Sequence, residues 1–299
     1  MTRRITLVVN PSSGKGRALE LLPPVVGRLR DSGAELEILL SRDFDEARAM
    51  TESAVAAGAD VLAVMGGDGM MHLGVNTCAR ARVAGATDTT LGLIPAGTGN
   101  DLCRGVGLNP DDAVAAAGVI ADGDRRWMDL ARVGQRYVGA VVATGFDALV
   151  NRRANAMPWP KGSMRYPLAT LAELRTFLPL AYRLRIDGEV RELDAMLVAV
   201  GNTASYGGGL KICPRADPGD GLLDVTIIHP ISRVTLLRLL PQMYSGAFAK
   251  DRCVEQLRGC EITVDGSGLV GFGDGEMIGA VPLTITSCPR AIRVHAPAR

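Results

Sequence analysis

The first part of the chain alternates short apolar runs with longer stretches of helical periodicity. Apolar runs of strand length lie at residues 5–9, 35–40, 61–65 and 91–95. Helical patterns follow them at residues 18–32, 45–57, 74–81 and 111–121. This alternation predicts βαβ units around a parallel sheet. The pair Pro23-Pro24 predicts an irregular first turn or a later start for the first helix.

The pattern changes after Asp122-Gly123-Asp124, where short β-like runs replace the alternation. These runs lie at residues 127–133, 137–144, 182–186, 195–202, 223–228, 260–264 and 283–286. Helical patterns interrupt them at residues 166–178 and 234–244. The arrangement favours an antiparallel sandwich or barrel. The sequence therefore predicts an α/β domain over 1–124 and a β-rich domain over 125–286, with a last strand near 287–299 returning to the first domain.

Composition narrows the class of protein. The 299 residues suit two domains, and 47% of them are hydrophobic against 22% charged, which is typical of a globular chain. A net charge of +1 provides no overall attraction to nucleic acid, so no nucleic-acid partner is expected. The N-terminus lacks the pattern of a signal peptide, and no run approaches the ~20 apolar residues of a membrane span. A cytoplasmic location is therefore expected, with any membrane contact peripheral.

Three loops follow predicted strands of the parallel sheet. The first is Asn10-Pro11-Ser12-Ser13-Gly14-Lys15-Gly16, the second is Gly66-Gly67-Asp68-Gly69, and the third is Gly97-Thr98-Gly99-Asn100-Asp101. Backbone N–H groups in glycine-rich turns can hold phosphate, and a nearby carboxylate can hold Mg²⁺ that bridges phosphate oxygens. Each loop alone is also explained as a solvated turn or a helix cap. Because parallel strands end at one crevice, the set favours a shared phosphate site.

With two later segments, these loops form the motif set of a known family. One segment holds Gly207-Gly208-Gly209 and Asp220-Gly221-Leu222-Leu223-Asp224, and the other is Gly273-Asp274-Gly275-Glu276. In this order the motifs cover most of the chain. The chain resembles the diacylglycerol kinase catalytic-domain family, that is, the bacterial soluble lipid kinases, which are related to sphingosine kinases and distantly to NAD kinases.

The resemblance implies a three-layer α/β domain like that of NAD kinases, a C-terminal β-rich sandwich, and ATP with Mg²⁺ between them. Asp68 would position Mg²⁺ and the phosphates, and Glu276 would be the general base. Asp217, Asp220 and the backbone carbonyl of Leu222 would hold a structural Mg²⁺. The implied nucleotide-binding residues are Asn10, Pro11, Ser12, Ser13, Gly14, Ser41, Gly66, Gly67, Asp68, Gly69, Met70, Met71, His72, Leu73, Thr98, Asn100 and Asp101.

One departure from the family pattern bears on activity. The family usually has Thr after Gly-Gly-Asp-Gly and often an Asn-Glu pair beyond it, whereas this chain reads Met70-Met71-His72-Leu73. A methionine cannot replace the hydrogen bond of a hydroxyl. Three functions therefore stay open: an ATP- and Mg²⁺-dependent kinase of a diacylglycerol-like lipid, an NAD-kinase-like phosphotransferase, and a catalytically weakened nucleotide- or lipid-binding regulator.

The expected partner is a lipid substrate at the membrane surface. The segment 152–166 mixes basic residues with Trp159 and Tyr166, a composition that suits a membrane interface but also a proline-rich surface loop. The location would then be cytoplasmic, at the inner face of the membrane. An edge strand of the β-rich domain could also pair with a second copy to form a homodimer.

Overall fold

The chain folds into two compact units. The computed structural model describes residues 2–85, 88–145 and 178–298, together with positions 150, 153, 156 and 157. The first unit comprises Met1–Leu130 and Pro289–Arg299, and the second comprises Ala131–Cys288. We call them unit 1 and unit 2.

Unit 1 is built on a parallel sheet in the order β2-β1-β3-β4-β16. Its strands are β1 (Arg4–Val9), β2 (Glu35–Leu40), β3 (Val61–Gly66), β4 (Thr90–Pro95) and the end of β16 (Leu283–His295). In the register, Val9 lies opposite Leu40 and Met65, and Gly66 lies opposite Pro95. The carboxyl ends of β1, β2, β3 and β4 therefore reach one edge of the sheet together, where ligand sites of α/β sheets form.

The helices that accompany this sheet in the described residues are α1 (Arg17–Arg30), α2 (Phe44–Ala56), α3 (Asp68–Val83), α4 (Asp101–Gly105) and α5 (Ala113–Asp122). The carboxylates of Asp43 and Asp112 cap α2 and α5 by accepting hydrogen bonds from the N–H groups of Glu46 and Ala115. On one side of the sheet, α1 and α5 bury Val25, Leu29 and Ile120 in the core of unit 1.

Two helix predictions in unit 1 were wrong in detail. Helix α1 begins at Arg17 and continues through Pro23-Pro24, because the core contacts of Ala18, Val25 and Leu29 outweigh the missing backbone hydrogen bonds. Helix α3 begins at Asp68 rather than Gly74. The glycine-rich run resembled a loop, yet an acid in a first turn is favourable for a helix.

Unit 2 contains two sheets packed face to face. One sheet has six antiparallel strands in the order β12-β11-β10-β7-β14-β15. The other holds the start of β16 with β13, β8 and β9, and β5 pairs with β16 and β6. A core shared by both sheets includes Val198 and Val225 from the first and Leu184 and Ile262 from the second. This is a sandwich, so the predicted fold class, an α/β unit followed by a β-rich unit, is confirmed.

The strand bounds of unit 2 refine the predicted runs. Strand β5 (Arg125–Val133) begins in unit 1 and ends in unit 2. The strands of unit 2 are β6 (Arg136–Val138), β7 (Val141–Gly145), β8 (Leu180–Ile186), β9 (Glu189–Ala195), β10 (Leu197–Gly201), β11 (Leu223–Ile228), β12 (Val254–Gly259), β13 (Glu261–Asp265), β14 (Val270–Gly273) and β15 (Glu276–Ala280), together with the start of β16. The single predicted strand at 137–144 is two strands, and strands β9, β12, β14 and β15 were not predicted. Strand β9 is almost entirely exposed and polar, so it carries no apolar pattern.

A helix packs on the outer side of the six-stranded sheet. This helix, α6 (Arg233–Ser245), was predicted, and the helix predicted at 166–178 lies outside the described residues. Leu236, Leu239 and Met243 of α6 are buried in a cluster with Leu197 and Ala199 of β10. No helix in the described ranges is long and apolar enough to cross a bilayer.

His295 ends strand β16 in a buried position of unit 1. Its Nδ1 atom lies 2.8 Å from the carbonyl oxygen of Asp124, and its Nε2 atom has no hydrogen-bond partner among the described residues. Burial lowers the pKa of His295 to about 4, and Arg3 and Arg125 also oppose its protonation. The buried imidazole is therefore neutral near pH 7.

We predict that this histidine makes the protein sensitive to acid. The pKa in the folded state is lower than in the unfolded state, so the contribution is present above pH 6.5 and is lost as the pH falls toward 4. The free energy of unfolding should fall by up to about 3 kcal/mol over that range. His295→Asn, whose amide can donate to the same carbonyl, should flatten the dependence in urea titrations at several pH values. Equal slopes for both proteins would contradict the prediction.

Candidate functional site

The loop after β1 is folded around the side chain of Asn10. Its Oδ1 atom accepts hydrogen bonds from the Ser12 N–H at 3.0 Å and the Ser12 hydroxyl at 2.7 Å. Gly14, Lys15 and Gly16 follow with φ values of 60°, 62° and 96°. Three successive residues in the left-handed region turn the backbone sharply just before α1, an arrangement whose N–H groups can surround an anion. Asn10 therefore shapes this loop, and Lys15 is exposed on it.

The second and third loops touch each other through backbone atoms. A Cβ on Gly67 would lie 3.3 Å from the Cα of Gly97, and a Cβ on Gly97 would overlap the Cα of Gly67. The carbonyl oxygen of Gly66 accepts hydrogen bonds from the N–H groups of Ala96 at 2.8 Å and Gly97 at 3.1 Å. A Cβ on Gly14 would likewise overlap the carbonyl oxygen of Ala96. All three loops thus meet at one edge of the sheet.

Asp68 joins the second loop to the third. Its Oδ1 atom accepts a hydrogen bond from the Asp101 N–H at 2.8 Å, and its Oδ2 atom accepts one from the Asn100 N–H at 3.0 Å. A carboxylate has about four acceptor positions, so these two bonds are compatible with a further role as a ligand of Mg²⁺. Asp68 also stands in the first turn of α3, whose N-terminus favours negative groups such as phosphate.

Asn100 is a buried structural residue of the third loop. It adopts a left-handed conformation with φ 56°, which asparagine tolerates better than most residues. Its Oδ1 atom accepts from the Gly97 N–H at 3.1 Å, and its Nδ2 atom donates to the carbonyls of Gly97 at 3.1 Å and Pro110 at 2.9 Å. These bonds hold the side chain within the loop, while the neighbouring Thr98 is exposed.

Several predicted nucleotide-binding residues have buried side chains. Ser41 donates its hydroxyl to the Val9 carbonyl at 3.2 Å, and Met70, Met71 and Leu73 lie in the core. A Cβ on Gly66 would overlap Met70, so the methionine that replaces the family's hydroxyl packs against the end of β3. His72 is partly exposed and lies 3.3 Å from Asn76 Nδ2 through its Nε2 atom.

Arg104 is a residue of this region that sequence reasoning missed. Its guanidinium donates to the carbonyl oxygen of Gly99 at 3.0 Å, and it lies in α4, directly after the third loop. The signal in the sequence was a cation three residues after the glycine-rich turn. Arg104 fixes the loop and places a positive charge beside it.

The predicted general base lies in unit 2, at a hairpin between β14 and β15. Glu276 is the first residue of β15, and it is exposed. Asp274 in the turn has φ 51° and accepts hydrogen bonds from the N–H groups of Gly139 at 2.9 Å and Ala140 at 2.8 Å. The turn is thus anchored by one acid and presents another to solvent, which is compatible with proton transfer.

The predicted structural metal site contains a cationic side chain. Asp220 forms an ion pair with Arg258 and accepts a hydrogen bond from the Leu222 N–H at 3.0 Å. Arg258 also contacts Asp224 at 3.1 Å, and Arg215 lies 4.0 Å from that carboxylate. In the described part of the chain, no group of three or more His, Cys, Asp or Glu side chains is placed to hold a metal ion.

The predicted metal ligands Asp217, Asp220 and the Leu222 carbonyl stay a prediction, and in the structure Asp220 is paired with Arg258. Burial raises the pKa of Asp224, and the guanidinium of Arg258 opposes this effect. Arg258 is thus shared between the carboxylates of Asp220 and Asp224.

Two protein families match the chain, one for each part. The diacylglycerol kinase catalytic domain matches residues 4–133. The YegS C-terminal NAD kinase beta sandwich-like domain matches residues 140–296. The second match alone covers more than half of the chain.

Known relatives extend over the full length of the protein. A Mycobacterium tuberculosis protein named diacylglycerol kinase is 41% identical, and the match covers 98% of this chain and 95% of the relative. A Stenotrophomonas maltophilia protein named "Probable lipid kinase YegS-like" is 28% identical over 99% of this chain and 97% of its own length. A crystal structure of a diacylglycerol kinase from Bacillus anthracis shares the fold, with a TM-score of 0.79 and 23% identity over 99% of this chain and 97% of that one.

The contact between Gly67 and Gly97 predicts an intolerant position. Gly97→Ala should lower the free energy of unfolding by about 1–3 kcal/mol, because its Cβ forces the two loops apart. Gly69→Ala is the matched control, since a Cβ there meets nothing within 4 Å. This control should leave stability unchanged or raise it by up to about 1 kcal/mol. Urea titrations would measure both, and equal stability of the two variants would refute the contact.

The ion pairs of Arg258 predict that this residue stabilises unit 2. Arg258→Gln should lower the free energy of unfolding by about 1–3 kcal/mol, because Asp220 and Asp224 lose their counter-charge. Adding Asp224→Asn to that variant should recover part of the loss. Thermal unfolding of the unmodified protein with and without EDTA tests the predicted metal site. A lower melting temperature in EDTA would show that a metal is bound, and equal melting temperatures would reject the site.

Proposed function

The chain belongs to the diacylglycerol kinase catalytic-domain family, and from this premise we propose that it is an ATP- and Mg²⁺-dependent lipid kinase. It would transfer the γ-phosphoryl group of ATP to a hydroxyl of a diacylglycerol-like or related lipid. The family and its named relatives support a lipid kinase. The observation that carries the finer proposal is the junction of three glycine-rich loops around Asp68 at one edge of the sheet.

The junction suits a polyphosphate. Glycines at positions 67 and 97 leave backbone where side chains would stand, and the N-terminus of α3 and the loop 14–16 supply N–H groups. Lys15 and Arg104 bring positive charge to two of the loops. Phosphoryl transfer requires mainly positioning and charge neutralisation, and these groups provide both.

Asp68 would hold Mg²⁺, which neutralises charge on the phosphates when it is bound. The two backbone N–H groups that bind Asp68 fix the direction of its carboxylate before any ligand arrives. An orientation fixed in advance lowers the cost of forming the reactive geometry.

Glu276 would accept the proton of the lipid hydroxyl. A hydroxyl becomes a useful nucleophile only as its proton leaves, and a positioned carboxylate typically contributes 10²–10⁴-fold to the rate of such a step. The hairpin that carries Glu276 is anchored by Asp274 to the backbone at 139–140, so the base stands on a fixed turn.

The position of Met70 bears on the alternative of an inactive regulator. Met70 is buried against Gly66, so its exchange for the family's hydroxyl alters the packing between β3 and α3. The backbone of the loop and the Asp68 carboxylate are still present, which favours turnover. The NAD-kinase-like alternative shares the second loop, but the named relatives that match along the full length are lipid kinases.

The proposed partner is a lipid at a membrane surface, and the proposed location is cytoplasmic, at the inner face of the membrane. Homodimer formation through an edge strand stays a prediction. Segment 152–166, the sequence candidate for the interface, lies outside the described residues apart from positions 153, 156 and 157.

Substitution of the two acids tests the mechanism. With labelled ATP, Mg²⁺ and mixed micelles that contain diacylglycerol, Glu276→Gln should lower kcat by about 10²–10⁴-fold while ATP binding is unchanged. Asp68→Asn should lower both kcat and the affinity for ATP with Mg²⁺, because it removes the negative charge and one hydrogen-bond acceptor of the loop junction. Calorimetric titration of ATP with Mg²⁺ would separate binding from turnover.

The matched control is Glu189→Gln, which removes an exposed glutamate of the same unit and should leave kcat unchanged. NAD⁺ in a parallel reaction tests the first alternative, since labelled NADP without labelled lipid would reject the lipid kinase. ATP binding without any labelled product would favour the regulator. A fully active Glu276→Gln enzyme would exclude Glu276 as the base.

A further inference from the structure

Helix α6 is apolar on two opposite faces. Leu236, Leu239 and Met243 are buried in the core of unit 2. On the outer face, Val234, Leu237 and Tyr244 are 76%, 43% and 58% exposed, and Pro241 between them is exposed as well. These four residues are spaced by three or four positions, so they line one side of the helix. We call them the α6 stripe.

A surface helix normally has polar residues on its outer face. The α6 stripe departs from this rule over about three turns. Single exposed apolar residues need no explanation, but a contiguous row of them marks a contact surface for another protein or for a membrane.

Basic residues flank the stripe along the chain. Between residues 231 and 252, the basic residues are Arg233, Arg238, Lys250 and Arg252, and the sole acid is Asp251. Arg238 donates to Asp251 at 3.2 Å, which brings the segment after α6 alongside the helix. Arg233, Lys250 and Arg252 are all exposed.

We propose that the α6 stripe is the surface on which unit 2 docks onto an anionic membrane. An interfacial helix places apolar side chains just below the headgroups and its Lys and Arg residues among them, and tyrosine is enriched at that depth. Each basic residue near an anionic surface strengthens the attachment. This inference rests on the proposed function, because a kinase of a membrane lipid must reach a substrate held in a bilayer.

The charges favour a membrane over a second copy of the chain. In a two-fold dimer the same patch would face itself. Four basic residues and one acid would then meet an identical set, and like charges brought together suppress association. An anionic bilayer has the complementary sign for the same residues.

Vesicle binding tests the surface directly. The probes are sedimented vesicles of phosphatidylcholine alone and of an equimolar mixture with phosphatidylglycerol. Val234→Gln with Leu237→Gln should weaken binding to the mixed vesicles roughly thirtyfold. Arg233→Gln with Arg252→Gln should weaken it roughly 25-fold, with little effect on phosphatidylcholine alone. Unchanged melting temperatures would show that the variants are folded, since all four side chains are exposed.

The controls make equal changes elsewhere. Val83→Gln with Val114→Gln replaces two valines on helices with exposed fractions of 76% and 36%. Arg80→Gln with Arg185→Gln removes two exposed arginines. Both control variants should bind vesicles as tightly as the unmodified protein. Control variants that lose as much vesicle affinity as the stripe variants would overturn the proposal. Ultracentrifugation without lipid tests the alternative of a dimer. If the unmodified protein is dimeric and Val234→Gln with Leu237→Gln makes it monomeric, the stripe binds a second copy instead.

A turnover assay separates this proposal from the proposed function. A short-chain diacylglycerol dissolved as monomers should be phosphorylated equally by the unmodified protein and the stripe variant, whereas vesicle-borne diacylglycerol should be phosphorylated at least tenfold more slowly by the variant. Equal rates on vesicles would reject the docking surface and leave the kinase intact. If neither lipid is phosphorylated but vesicle binding still depends on the stripe, the proposed kinase activity is rejected and the proposed docking surface stands.

Discussion

The backbone contact between Gly67 and Gly97 is the constraint on which the candidate site depends. No residue other than glycine allows two strand ends to approach so closely, and this approach puts the carboxylate of Asp68 within hydrogen-bonding distance of the next loop. Asp68 fixes the loop at 97–101 through these hydrogen bonds, and in the proposed function it would also hold Mg²⁺. The negative charge of Asp68 and the conformation of the loop at 97–101 therefore depend on each other, and a substitution that changes one also changes the other.

Much of the fold could be predicted, because buried strands carry a strong pattern. Strands β1, β3 and β4 are mostly apolar and almost entirely buried, and their predicted bounds agree with the structure within one residue. The strands that were missed belong to unit 2. Strand β9 is mostly charged and exposed, and β14 and β15 are short strands of four and five residues that contain glycine. Their pairing depends on distant partners, and no local pattern reports it.

The site could be predicted as a set of loops but not as an arrangement. The spacing of the glycine-rich turns indicated that they meet. The sequence did not show which side chains of these loops are exposed, because the same residue type can either pack in the core or bind a ligand. The polar groups of Asn100 and Ser41 form hydrogen bonds with backbone atoms, and Met70 packs beside Gly66. The ion pairs of Arg258 join residues 34 and 38 positions apart, a distance that sequence spacing cannot bridge.

Strand β16 has a consequence for how the protein is made. Its end pairs in parallel with β4 through Arg293 and Val294, yet about 200 residues separate those partners along the chain. During synthesis, the ribosome releases all of unit 2 before it releases the strand that completes the sheet of unit 1. Until then, β4 presents an unpaired edge, the feature of nascent domains that invites wrong pairing. Unit 1 is therefore the first unit to be synthesised and the last to be completed. Its sheet can be completed only after unit 2 has been synthesised.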